Sequence, residues 1–163
     1  MQPVENVFTD LPGFHCFVCS PANQRGLRLS FFWEEESSEV LTYLQTDETL
    51  SGFPRILHGG VQTTVLDELA FWAVFVPFRV LTVTAEINVR FLKPVPTGCR
   101  IVARAKGRRP RHRLARVKAS LGPEGENPCT EAEILVFVPD RRVWAEQFGG
   151  KIPDRLLPYL PES

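Results

Sequence analysis

The stretch HGGVQTTVLDELAFWAVFV, residues 58–76, decides how the rest of the chain is read. It opens on His58-Gly59-Gly60 and runs on through Val61, Val65, Leu66, Leu69 and an unbroken apolar run from Ala70 to Val76. From Val65 onward only Asp67 and Glu68 carry charge, and Pro77 is expected to stop the helix. A helix apolar nearly all round needs cover nearly all round. Its length would just span a bilayer, but Gln62, Thr63, Thr64, Asp67 and Glu68 argue instead for a central helix enclosed by a sheet. Asp67 is then a carboxylate in an apolar setting, which favours a functional or strongly hydrogen-bonded role.

The start of this helix has chemistry of its own. Gly59 and Gly60 allow close approach of a ligand. The first N–H groups of a helix lack internal partners and lie at the positive end of its dipole. A carbonyl oxygen gaining negative charge would be stabilised there, at the Gly59 or Gly60 N–H. Asp67 follows Gly59 by eight residues, or about 12 Å along the axis. One helix therefore cannot bring both groups to a single carbonyl carbon. Two antiparallel copies can, so a catalytic pairing requires a two-fold dimer with shared sites.

The remaining chain reads outward from this helix. With 163 residues it suits one domain with a substantial core. Its net charge of zero points to no partner by bulk charge. The N-terminus has neither a basic nor an apolar leader region, which predicts a cytoplasmic protein. Residues 27–33 alternate as a half-buried strand, with Leu27, Leu29, Phe31 and Trp33 on one face. Residues 40–45 form a second strand, and 47–57 a loop that carries Phe53 towards the helix start. Residues 80–92 are the clearest strand. There Val83, Ala85, Ile87, Val89 and Phe91 share one face, and Thr82, Thr84, Glu86, Asn88 and Arg90 the other. Residues 100–108, 113–121 and 130–138 complete the set. The order β-β-α-β-β-β-β predicts the α+β class, an antiparallel sheet curled round one long helix. The core is expected over 14–138, after a loosely docked lead-in. The extension, 139–163, is expected to hold a short helix at 143–148 and an extended tail.

His58-Gly59-Gly60 with Asp67 nine residues after the histidine resembles the hotdog-fold acyl-CoA thioesterases, in particular their PaaI-like branch. CFVCSPANQRGLRLSFF (16–32) and GFPRILHGG (52–60) are similar to one subset of that branch, and TAEINVRFLKPVPTG (84–98) to the strand after its central helix. The resemblance implies hydrolysis of an acyl-CoA with no cofactor, in a homodimer or dimer of dimers. It makes Asp67 the base that activates water or the nucleophile, and Thr84 a hydroxyl that positions that water. His58 either contacts the thioester or caps the helix. Many relatives carry an asparagine six residues before the histidine; here that position is Gly52, preceded by Ser51. A non-catalytic acyl-CoA sensor and an enoyl-thioester hydratase are the alternatives, and the carrier, CoA or an acyl-carrier protein, stays open.

Other residues complete the expected site. Phe53, Phe71, Trp72 and Phe75 are candidates for the acyl pocket or for plain core. A basic run, Arg104, Lys106, Arg108, Arg109, Arg111, Arg113, Arg116 and Lys118, is expected to gather on a hairpin where it could seat the CoA phosphates. Arg90 and Lys93 are further phosphate candidates. The run lacks the interleaved aromatics of a nucleic-acid surface. Glu68 is expected to point about 100° away from Asp67, towards a polar partner. Cys16 and Cys19 form one CxxC, while Cys99 and Cys129 are isolated. A tight turn with two small thiols is expected rather than a metal site.

Overall fold

A computed structural model describes residues 1–161. One sheet contains β1 (Gln2–Pro3), β2 (Phe31–Glu34), β3 (Glu39–Gln45), β6 (Val83–Phe91), β7 (Arg100–Gly107), β8 (Leu114–Pro123) and β9 (Thr130–Phe137). A small hairpin pairs β4 (Ser51–Phe53) with β5 (Ile56–Leu57), inside the expected loop. The long helix α1 runs Gly59–Phe78, and a short helix α2 covers Arg141–Gln147. The sheet order is β1-β2-β3-β7-β8-β9-β6, antiparallel throughout. This is the expected α+β hotdog arrangement, a sheet curled round one helix.

The sheet is able to enclose α1 because its inner face is small. Ala103 and Ala105 on β7, Ala115 and Ala119 on β8 and Ala132 on β9 are all buried. Those short side chains make room for Trp72 and Phe75, which are fully buried on the helix. Contact is closest at Gly107. A β-carbon built there would lie 2.6 Å from the Ala73 carbonyl oxygen and 2.9 Å from a Val74 methyl. Neither atom can yield without moving the helix. Gly107→Ala is therefore expected to cost about 1–3 kcal/mol by overpacking, read as a lower denaturant midpoint at unchanged slope.

Pro77 does not stop the helix. It lies inside α1, which continues to Phe78 and ends on Arg79 in the left-handed conformation, φ 55°. A proline costs a helix the hydrogen bond to the carbonyl four residues earlier. That carbonyl is Ala73's, the one pressed against Gly107, so the lost bond falls where the sheet already occupies the space.

Both ends of the chain are more tightly packed than the sequence suggests. Gln2 and Pro3 extend the sheet beside β2. Phe8 is buried, its ring centroid 5.7 Å from Phe71, 5.8 Å from Trp72 and 5.4 Å from Phe75. At the other end Ile152 and Leu156 are buried, and the Tyr159 ring lies 4.9 Å from Phe75. The sheet leaves the aromatic side of α1 open, and the two terminal segments cover it. A core bounded at 14–138 is thus too narrow. A residual correction concerns 27–30, which are not in the sheet. Arg28 has φ 52°, and the Leu27 and Leu29 amides bond to the carbonyls of Phe17 and Val18 in the cysteine turn.

Candidate active site

Helix α1 is half buried, and its open side is a stripe. Gly60 is exposed, and Thr64, Asp67 and Phe71 are half-buried. These positions follow the three-and-four spacing of one helix face. The expectation that α1 is enclosed all round is therefore corrected: within one chain the stripe containing Asp67 is left uncovered.

Asp67 accepts a hydrogen bond of 2.6 Å from the Thr84 hydroxyl. Simple alternation puts Thr84 on the same face as Glu86, Asn88 and Arg90. The pairing of β6 with β9 instead slips between Thr84 and Glu86, where Thr84 faces Val136 and Glu86 faces Leu135. This bulge inserts one residue and switches faces. Beyond it Ile87 and Val89 pack on the core, while Glu86, Asn88 and Arg90 line the outer face of the sheet. Before it, Thr84 reaches the helix. Bulges that re-aim a side chain are common beside active sites.

The helix start is held by several contacts. His58 is the N-cap, and its Nδ1 accepts the Gly60 N–H at 2.8 Å. Its backbone N–H donates to the Leu50 carbonyl. The buried amide of Gln62 donates to the Leu57 carbonyl and accepts from the Thr130 hydroxyl, tying the first turn to β9. No local pattern along the chain announces this last bond. Because Nδ1 is an acceptor, the ring proton of neutral His58 sits on Nε2. The histidine thus serves as a helix cap through Nδ1. The Gly60 N–H is already bonded, which removes it as a waiting oxyanion donor. Among the described residues the N–H groups of Gly59 and Val61 meet no acceptor.

Gly52 lies under the imidazole: a β-carbon there would be 3.1 Å from His58 Cδ2. An asparagine at this position would displace the ring as it is placed here. Ser51 is not a replacement, since its hydroxyl donates to the Glu48 carbonyl at 2.6 Å. Phe91, which the sequence placed only as a strand residue, covers Gly59 at 3.3 Å from a built β-carbon and is 55% exposed. Phe53, on the β4–β5 hairpin, is 75% exposed. Phe71 stacks on Phe75, at 5.4 Å between centroids.

Part of the basic run is engaged. Arg104 pairs with Glu34 and Glu39, Arg113 with Asp140 and Lys118 with Glu133, and Lys106 donates to the Ser37 carbonyl. Arg90 pairs with Glu131, at 3.9 Å. A purely basic sheet face is therefore not formed. A broad cavity of about 930 Å³ on that outer face is lined by both signs of charge and includes none of His58, Asp67 and Thr84. Arg108 and Arg109 lie at the far end of α1, with Arg109 over the Phe78 ring at 5.2 Å. Lys93 follows β6 and donates its backbone N–H to the Cys129 carbonyl.

Glu68 takes the other side of the helix, as its spacing requires. It accepts from the Trp72 indole at 2.9 Å and meets the Cys16 thiol at 3.4 Å. Cys16, Cys19 and Glu68 bring two sulfurs and a carboxylate oxygen within 4.8 Å of one another. These residues could hold a metal.

Residues 55–121, which include α1, the bulged strand and β7, match the model of the thioesterase superfamily. Over those residues the chain is similar to that superfamily. Solved structures agree in fold. A thioesterase-superfamily protein superposes with TM-score 0.69 at 21% identity, over 77% of this chain and 60% of its own. This chain thus spans less than two thirds of that protein. A thioesterase from Haemophilus influenzae gives 0.63 at 19% identity, over 74% of this chain and 85% of its own. A protein from Streptococcus mutans UA159, solved bound to acetyl-CoA, gives 0.61 at 14% identity, over 68% and 88%. No curated protein sequence matches the chain.

Proposed function

We propose that this thioesterase-superfamily protein hydrolyses an acyl-CoA thioester at sites shared across a two-fold dimer, as a member of the PaaI-like branch. The observation that carries the reading is the Asp67–Thr84 pair, on the open stripe of α1 and beside the free edge of the sheet. Strand β6 is nine residues long and, among the described residues, pairs with β9 on one side and with no strand on the other. Val83 and Phe91 stand exposed at its two ends, and Leu92 just after it. A long edge with exposed apolar side chains is a template for pairing with another strand, and a second copy is the occupant that satisfies it symmetrically.

Such a dimer supports the division of labour. The free Gly59 N–H receives the thioester oxygen as it gains charge. The partner subunit's Asp67 takes a proton from water, or attacks the carbonyl carbon directly. Thr84 fixes the carboxylate through its hydroxyl, leaving the second oxygen for chemistry. Antiparallel pairing of Gly59 with the partner's Asp67 also places the C-terminal end of the partner's helix beyond the first helix start. The partner's Arg108 and the partner's Arg109 then lie near that opening, suited to the CoA phosphates. Binding of acetyl-CoA by the S. mutans fold relative is in keeping with this.

A non-catalytic acyl-CoA sensor is the second reading, and Gly52 favours it, because no side chain there holds water. The hydratase reading is weaker, since His58 spends Nδ1 on the helix cap. Incubation with a panel of acyl-CoAs, followed by thiol release and by calorimetry, separates the first two. Release of CoA with turnover is expected. Binding without release would establish the sensor and end the hydrolase reading.

A further inference from the structure

We propose that Cys16, Cys19 and Glu68 form a binding site for a thiophilic divalent cation, zinc in the first instance. The sequence alone did not favour a metal at this turn, because it offered one CxxC and no second pair. The missing ligand is not a cysteine and is not near in sequence. It is a helix carboxylate 52 residues after Cys16, brought in by the fold.

Several independent features suit the site to a metal. The turn aims two backbone amides at one sulfur: the N–H groups of Val18 and Cys19 each lie 3.3 Å from Cys16 Sγ. That arrangement stabilises a thiolate, the form that binds metal. Glu68 has a fixed orientation, since the buried Trp72 indole donates to one of its oxygens. An outer hydrogen bond to a ligating carboxylate is the usual support of a metal site. No lysine, arginine or histidine pairs with Glu68 among the described residues.

The geometry needs little adjustment. Zinc with bonds to sulfur of about 2.3 Å would hold its two sulfurs roughly 3.8 Å apart in a tetrahedron. The three ligand atoms already lie within 4.8 Å of one another. Cys16 is half-buried, so a fourth position can open to solvent. Without metal, two thiol protons and one carboxylate satisfy the cluster. Binding replaces those two protons with one divalent cation, and both protons are released. Glu68 adjoins Asp67 on α1, so the site braces the helix one residue from the proposed catalytic acid. Cys16 and Cys19 also hold segment 27–30 in place, through the carbonyls of Phe17 and Val18.

The full-length chain, purified under reducing conditions without chelator, is incubated with zinc, desalted and analysed for metal by plasma mass spectrometry. About one zinc per chain is expected, with two protons released per zinc in weakly buffered dye. Cobalt in place of zinc is expected to show thiolate charge transfer and the strong visible bands of tetrahedral coordination. Cys19→Ser should abolish uptake. Glu68→Gln, which keeps the bond from Trp72 and the fold, should weaken zinc by about tenfold or more. Wild-type protein with both thiols reactive and no zinc retained would overturn the proposal. So would equal zinc binding by the Cys16→Ser/Cys19→Ser double variant, or a Cys16–Cys19 disulfide whose reduced form takes up no zinc.

Discussion

Asp67→Ala is expected to lower kcat for acyl-CoA hydrolysis by about 10² or more, while the proposed dimer and the circular dichroism spectrum stay as in the parent. The structure separates the two effects. Asp67 is half-buried, and the bond it forms is with Thr84, a residue itself exposed on the edge strand. No core contact depends on the carboxylate. Asp67→Asn sharpens the test. Its amide oxygen still accepts from the Thr84 hydroxyl, so a purely structural aspartate would be rescued by it. A base or nucleophile would not, because the amide cannot take a proton or attack. Both variants should therefore fail alike. Activity of either within about threefold of the parent would rule Asp67 out of the chemistry, since base removal normally costs far more.

Mixing two inactive variants should restore activity, the second large effect. Gly59→Pro removes the free N–H at the first helical position, where proline is well tolerated and its fixed φ suits the helix. His58 before it has φ −59° and ψ 132°, an extended conformation that a following proline accepts. Phe91 over Gly59 must tilt away, which its 55% exposure permits. Alone, this variant lacks the oxyanion donor in both sites of its dimer, and loss of about 10² to 10³ in kcat is expected. Asp67→Ala lacks the acid in both. After subunit exchange at equal concentrations, about half the dimers are mixed, and each has one intact site of two. The mixture should recover roughly a quarter of parental activity. If each site were built within one chain, mixing would restore nothing. Sedimentation of the parent as a monomer under assay conditions would likewise defeat the shared-site reading.

Much of this architecture was written in periodicity. The apolar run from Val65 to Val76 specified the helix, and alternating strands on either side specified the sheet that receives it. His58 was legible as a cap candidate because of its place before two glycines. Glu68 could be turned away from Asp67 by helix geometry alone, and its polar partner was duly found. The failures share a cause. Pro77 reads as a stop by local rules, yet the helix passes through it because its orphaned carbonyl faces Gly107 on a distant strand. The terminal segments read as loose because neither has a strong period. Phe8 and Tyr159 have a place only once the aromatic side of α1 exists.

The sequence by itself determined the fold class, the central helix, the acid at its middle and the glycines at its start. Those are properties of local patterning, fixed by spacing along the chain. Only the tertiary structure decided which groups meet. A one-residue slip in β6 turned Thr84 onto Asp67, and acids elsewhere in the fold paired with Arg104, Arg113 and Lys118 of the basic run. The two cysteines found their carboxylate on the helix in the same way. Each depends on contacts between residues far apart in the chain, whose geometry is set by packing and leaves no periodic trace.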